Sequence, residues 1–306
     1  MSLKKPNRTT LGLMVLFVLL AAAVTPLSAQ QGGSDREPFV QVIPHYEIGY
    51  LGVLSHVYQA GEGETAGNGG TLFNFVTMGG QDILFPYQRY SAELVLGGRN
   101  RVTLLYQPLT LNTRTVVGRN DPTPSAIYID DATFTAGTPI DITYGFDFWR
   151  VSWLYDFARS PNTILGAGIS LQLRNASIVF TSVDAVAVPG ERSVSQNIGP
   201  VPILKARAAH WFSPQFGLDF EADGFYASSA FFNGSGRPFE GWIWDASLSA
   251  KTRFAPNASA FLTVRSIGGG ANGENAYTYV STTTSTNAKT YNALATIAVT
   301  LGVSVE

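Results

Sequence analysis

Apolar and polar residues alternate with a period of two along most of this chain, the pattern of extended strands with two unlike faces. Over residues 163–175, Leu165, Ala167, Ile169, Leu171 and Leu173 alternate with Gly166, Gly168, Ser170, Gln172 and Arg174. Over 216–226, Phe216, Leu218, Phe220 and Ala222 alternate with Gly217, Asp219, Glu221 and Asp223. Over 242–254, Trp242, Trp244, Ala246, Leu248, Ala250 and Phe254 alternate with Asp245, Ser247, Ser249, Lys251 and Arg253. Residues 87–96 set Tyr90, Ala92, Leu94 and Leu96 against Arg89, Ser91 and Glu93. At the end of the chain Tyr291, Ala293, Ala295, Ile297, Val299, Leu301, Val303 and Val305 are all apolar, with mostly polar neighbours. Each segment predicts a strand with charge on one face and none on the other.

Four connections are short and turn-like: Gly97-Gly98-Arg99-Asn100, Ser160-Pro161-Asn162, Ser213-Pro214-Gln215 and Ala255-Pro256-Asn257. Between them lie longer segments rich in Gly, Asn, Thr and Asp, over 61–84, 119–141, 184–196, 233–238 and 270–288. Short turns thus alternate strictly with long loops. An up-and-down barrel with short periplasmic turns and long external loops produces that asymmetry, and a Greek-key sandwich does not. The predicted fold is all-β, a closed antiparallel up-and-down transmembrane barrel of about ten strands, within a range of roughly eight to twelve.

Counted back from the end, the strands fall at 286–305, 258–268, 239–254, 216–231, 197–212, 163–182, 142–158, 101–118, 85–96 and 46–60. Residues 71–78, TLFNFVTM, either extend the second strand or belong to an extra hairpin. Pro108, inside an otherwise good strand, predicts a bulge with a change of face.

Lys4, Lys5 and Arg8 precede an apolar run from Leu11 to Val24, and Pro26, Ser28 and Ala29 follow. That order predicts a secretory signal peptide over 1–29, the run being too short to span a bilayer as a helix. Residues 30–45 read as a periplasmic leader, and 46–306 as the barrel. Without the signal the chain keeps 17 of its 20 basic residues and all 22 acidic ones, a net charge of -5. Mild acidity argues against nucleic acid as a partner. The absence of Cys excludes disulfides, thiolate metal sites and acylation as a lipoprotein. The mean hydropathy of +0.09 with no later apolar run of helical length means that the apolar residues are dispersed, as a lipid-facing sheet requires.

This architecture resembles that of bacterial outer-membrane β-barrel proteins as a class, with no motif of a particular family. The resemblance implies an outer-membrane location, contact with outer-membrane lipid and help from a barrel-assembly machinery during insertion. It also implies two girdles of aromatic residues. Trp153, Tyr155 and Phe157, then Trp211, Phe212 and Phe216, and Phe254 flank the short turns, while Trp242 and Trp244 stand toward the long loops. One departure is the terminus: barrels of the class commonly end in an aromatic residue, and this chain ends Val305-Glu306.

If the uncharged face meets lipid, the polar face fills the lumen. Centring one turn at Pro214 sets Arg207 opposite Glu221 and Lys205 opposite Asp223. Centring the next loop at Gly236 sets Lys251 opposite Glu221 and Arg253 opposite Asp219. An acidic strand then lies between two basic ones, a pairing that buried charges require. Such a set is either a structural network or a selectivity ring for ions. At about ten strands the lumen is only slightly wider than one filled by side chains.

Enzyme chemistry finds little footing. The histidines are His45, His56 and His210. Omptin proteases use Asp pairs and an Asp-His pair, but neither His56 nor His210 has an adjacent Asp. Barrel lipid hydrolases place Ser two residues after His, where this chain has Tyr58 and Phe212. His56 with Ser55 is the one nucleophile and base candidate. Asn120, Asp121, Asp130 and Asp131 lack the spacing of a calcium loop and read as solvated loop residues, so no metal or cofactor is expected. The functional expectation is a non-enzymatic outer-membrane barrel, either structural and surface-exposed or a narrow pore for small solutes. The alternatives are a barrel hydrolase for lipid or peptide, and a soluble exported β-protein binding carbohydrate.

Overall fold

The computed structural model describes residues 40–61, 70–120, 125–129, 132–183, 192–231, 239–275 and 288–305. The expected signal peptide and the leader as far as residue 39 lie outside that set. The strands are β1 (Val40–Ala60), β2 (Phe73–Asn74), β3 (Leu84–Leu96), β4 (Asn100–Gln107), β5 (Thr110–Val116), β6 (Ala126–Ile129) and β7 (Ala132–Thr135). They continue as β8 (Pro139–Arg159), β9 (Thr163–Ser182), β10 (Arg192–Trp211), β11 (Phe216–Ser228), β12 (Phe239–Ala255), β13 (Ala258–Asn275) and β14 (Ala288–Val305).

Ten staves close into one antiparallel barrel: β1, β3, β4 continued by β5, and then β8 to β14 in order. Closure comes from β1, which pairs with β14 from His45↔Ser304 to Ala60↔Thr290 and with β3 on its other side. The sheet therefore leaves no open edge around the ring, the condition for a sheet to stand in hydrocarbon. Strand β1 starts at Val40, so the last six residues of the expected leader belong to the barrel.

Two expectations are corrected. Pro108 interrupts the ladder between β4 and β5 without shifting it, since Gln107↔Phe148 and Thr110↔Gly145 keep one register. Inward residues accordingly keep one parity across it, and the Asp147 carboxylate accepts the Leu109 amide hydrogen bond at 2.8 Å. The bulges lie instead in β1 between Val53 and Ser55, in β8 between Asp156 and Ala158, and in β12 between Arg253 and Ala255. The first swings His56 inward. Residues 71–78 make no spanning hairpin: Phe73 and Asn74 pair with Tyr58 and Val57, and the chain then turns back.

The outer surface carries a belt of exposed apolar side chains. Ile169 is 58% exposed, Leu171 49% and Leu248 50%, none covered by a second sheet. On β8 the outward residues Trp149, Val151, Trp153, Tyr155 and Phe157 are all exposed. So much contiguous apolar surface is the mark of a face that meets lipid or a partner, and a closed ring of it fits a bilayer.

The belt covers only part of each stave. Strands β8, β9 and β10 have 21, 20 and 20 residues, where about 9–11 tilted residues span a bilayer. Above the belt the two faces exchange character. The inward residues of β8 change from Arg150, Ser152 and Asp156 to Phe148, Tyr144, Ile142 and Ile140 toward the long-loop end, while the outward ones become Asp147, Thr143 and Asp141. On β9 the inward Ile178 and Phe180 are buried, and their outward neighbours include Asn175 and Ser177. The expectation of a polar lumen along the whole barrel thus holds in the short-turn half alone. In the other half both faces of β8 and β9 invert, as a water-standing extension with an apolar core requires.

That core is filled from one side. The connection between β1 and β3 folds into the mouth, and its Phe73 and Phe75 are fully buried against Tyr58, Tyr144 and Phe180. The β6–β7 hairpin adds Ile127, Ile129 and Phe134 above them. We call these pieces the plug.

Candidate functional site: the charged lumen

Fourteen ionised side chains form one connected network across the short-turn half of the lumen. Asp245 on β12 is its hub, with oxygens 3.0 Å from Arg89, 3.0 Å from Arg150 and 2.8 Å from Arg265. Arg265 also reaches Glu47 at 3.2 Å, and Arg150 reaches Asp223 at 3.3 Å. Lys205 joins Asp223 at 3.0 Å to Glu221 at 2.9 Å. Arg207 connects Asp219 at 2.7 Å with Glu93 at 3.2 Å, and Lys251 closes on Asp219 at 2.8 Å. Arg101 pairs with Glu93 and, at 2.8 Å, with Asp156.

Seven cations and seven anions make this set neutral among the described residues. The two staves without a charge in it join through neutral groups. Gln172 of β9 accepts from Arg150 Nε and Nη2 at 3.0 and 2.7 Å, and Thr300 of β14 donates to Glu47 at 2.8 Å. Every stave therefore holds the network. Charges taken from water at this depth cost several kcal/mol each unless paired and hydrogen-bonded, and here each finds partners of opposite sign. A cavity of about 70 Å³ lies among these side chains, enough for a few waters.

The residues read from sequence fall as follows. Lys205, Arg207, Asp219, Glu221, Asp223 and Lys251 are brought together, and the register Lys205↔Asp223, Arg207↔Glu221 is the one expected. The register of β11 with β12 differs: Glu221 faces Ser247 and Asp219 faces Ser249. The observed strand register differs from the expected one by four residues in every pair. An even shift preserves the face, so Lys251 still points inward and reaches Asp219 diagonally. Arg253 does not join. It lies at the short-turn rim, its guanidinium 4.0 Å from the ring of Trp211 and its Nη1 donating to the Pro214 carbonyl at 3.2 Å.

Sequence reading missed Glu47, Arg89, Glu93, Arg101, Arg150, Asp156, Asp245 and Arg265 as members. Their signal was present, since each occupies the charged face of its strand; Arg101 with Glu93 and Arg265 with Asp245 join adjacent staves, whereas Arg89 and Arg150 reach Asp245 across the lumen, where hairpin register is no guide.

Of the aromatic residues, Trp153, Tyr155, Phe157, Phe212, Phe216 and Phe254 are exposed on the outer surface. Trp211 is corrected: it has the inward parity of Arg207 and is covered by Arg253. Trp242 and Trp244 lie half-buried against Gly270 and Gly268, where a Cβ would strike their rings. An unforeseen row crosses four adjacent staves on the outside. Tyr46, Tyr90, Tyr106 and Trp149 are direct cross-strand neighbours with ring centroids 5.1, 6.3 and 4.6 Å apart.

His56 is packed. Its ring stacks on Phe75 at 3.6 Å, its Nδ1 lies 3.0 Å from Gln81 Oε1, and Gln81 donates to Thr113 at 3.0 Å. Ser55 faces the opposite side of the sheet and is exposed, so the two form no nucleophile and base pair. Asn120 hydrogen-bonds Met78 and Thr115, whereas Asp121, Asp130 and Asp131 lie outside the described residues.

A closed ten-stave barrel with an apolar belt and an ionic interior has the architecture of the bacterial outer-membrane β-barrels. Similar solved structures include the outer membrane protease OmpT from Escherichia coli, at 10% identity over 86% of this chain and 96% of that one, with a TM-score of 0.49. A Pseudomonas aeruginosa FadL homologue matches at 9% identity over 87% and 90%, TM-score 0.33. The CymD monoaromatic hydrocarbon channel matches at 12% over 86% and 88%, TM-score 0.29. Neither a protein-family model nor a curated protein sequence matches the chain.

Proposed function

We propose that this chain is an integral outer-membrane protein that acts as a sealed, non-enzymatic barrel and presents its long loops outside the cell. The short turns then face the periplasm, the apolar belt contacts outer-membrane lipid, and the barrel-assembly machinery inserts the chain. The observation that carries this reading is the neutral fourteen-residue network, anchored on all ten staves. Opening an ion path through it would leave buried charges without partners, and side chains held from both ends by guanidinium and carboxylate forks have little freedom to part. The packed surroundings of His56 support a non-enzymatic role as well.

Two measurements test the proposal. Fractionation of cells with a urea wash should leave the protein with the outer membrane, migrating heat-modifiably on a gel. The purified barrel in a planar bilayer should pass no steps of porin size, and such steps would overturn the sealed reading while leaving the location intact.

A further inference from the structure

Among the described residues, the upper lumen is filled by the plug on the β1, β3, β5 and β8 side. On the opposite side, against β9 to β14, a cavity of about 430 Å³ remains. It exists because inward positions at that height carry small side chains or none. Ala176, Ala227, Gly241, Gly269 and Ala271 line it and share the inward parity of Gln172, Asp223, Asp245 and Arg265 on their strands. Larger residues there would fill the space as Phe73 and Phe75 do across the mouth.

The remaining wall is mostly apolar, with Tyr144, Phe148, Ile178, Phe225, Ile243 and Ile267, and Arg174 of β9 stands in it on the same inward parity as Ala176. Arg150 forms part of the floor and is committed to Asp223, Asp245 and Gln172, with its guanidinium 5.2 Å from the ring of Phe148. The ionic layer thus closes the way down. On the outside at this height stand Asp147, Asn175 and Ser177 on β8 and β9, and the aromatic Tyr226 and Trp242 on β11 and β12, so the cavity lies at the long-loop border of the lipid belt. Its upper lining, including Glu240, Asn272 and Thr290, belongs to strand ends beside the long loops. A largely apolar chamber closed below has the size of ordinary ligand pockets and gains by taking up an apolar guest.

We propose that this chamber is a binding site for a small uncharged apolar molecule of one or two rings, admitted from the outer side. The test is calorimetric titration of naphthalene into the full chain folded in nanodiscs, with empty nanodiscs as reference. Saturable uptake of one molecule per barrel is expected beyond the partitioning of empty discs. Ala176→Trp and Ala227→Trp, which fill the chamber from two sides, should weaken it about tenfold or more, with Ala227→Leu as the milder form should tryptophan prevent folding. The outward Leu248→Trp should leave it unchanged. Heat-modifiable migration identifies the folded variants. Uptake no greater than that of empty discs overturns the site, as does saturable binding that folded filling variants leave undiminished.

Discussion

Asp245 and Arg150 belong to staves separated by three others, yet Asp245 Oδ2 lies 3.0 Å from Arg150 Nη1 across the lumen. The same oxygen is 3.0 Å from Arg89. One carboxylate thus ties β3 to β8 and, through its other oxygen, to Arg265 of β13. The Asp245→Ala variant removes the one carboxylate that three buried guanidiniums share. It should lower stability by about 3–5 kcal/mol, read as a shift in the urea midpoint of the folded barrel in micelles. A loss under about 1 kcal/mol, the scale of an exposed pair, would mean that the network is solvated rather than buried.

Charge balance also predicts what a breach would conduct. Replacing Lys205, Arg207 and Lys251 together by Ala leaves Asp219 and Glu221 lining the wall without their cations and Asp223 with Arg150 alone. The parent barrel should be silent in a planar bilayer. The triple variant should leak cations in preference to anions, visible as the sign of the reversal potential in a salt gradient.

The belt predicts a depth dependence along a single strand. Ile169 and Val179 lie on the outward face of β9, but Asn175 and Ser177 separate them. Ile169→Arg should cost about 2–4 kcal/mol, and Val179→Arg no more than about 1 kcal/mol. Equal costs for the two, in unfolding from lipid vesicles, would contradict the position assigned to the belt.

The plug predicts local opening. Phe75 is fully buried, stacked on His56 and in contact with Phe73, Tyr144 and Phe180. Phe75→Ala should remove about 3–5 kcal/mol of packing from the plug alone, because the barrel ladders do not depend on it. Chymotrypsin should then cut near Leu72 or Phe73 while the barrel keeps its heat-modifiable migration. Loss of that migration would show that the plug is part of the barrel's own cooperative unit.

Much of the architecture was legible in the alternation itself. The run from Leu165 to Leu173 marks a strand, marks its lipid side, and puts Gln172 on the lumen side. Turn length did the rest, since Ser213-Pro214-Gln215 leaves only one register for Lys205 and Asp223. Long loops carry no such constraint, which is why the register of β11 with β12 was misread. Contacts across the lumen, such as Arg150 with Asp245, depend on barrel closure and on staves that no hairpin joins. The upper lumen hid for a different reason. On β8 the phase of the pattern reverses at Phe148-Trp149, where two apolar residues stand side by side, and on β9 at Arg174-Asn175, where two polar ones do. Alternation reports that two faces differ and is blind to which one water touches. Phe73 and Phe75 escaped because a two-residue period in TLFNFVTM looks the same in a plug as in a stave.

The place where the pattern reverses sets how deep the molecule rides. From Trp149 to Phe157 the outward side of β8 offers five apolar residues, roughly 20–25 Å of hydrocarbon contact for tilted strands. Sinking by two residues would press the Asp147 carboxylate into acyl chains, and rising by two would lift Trp149 into water. The barrel is therefore matched to a thin bilayer, and a thicker one must either compress around it or exclude it.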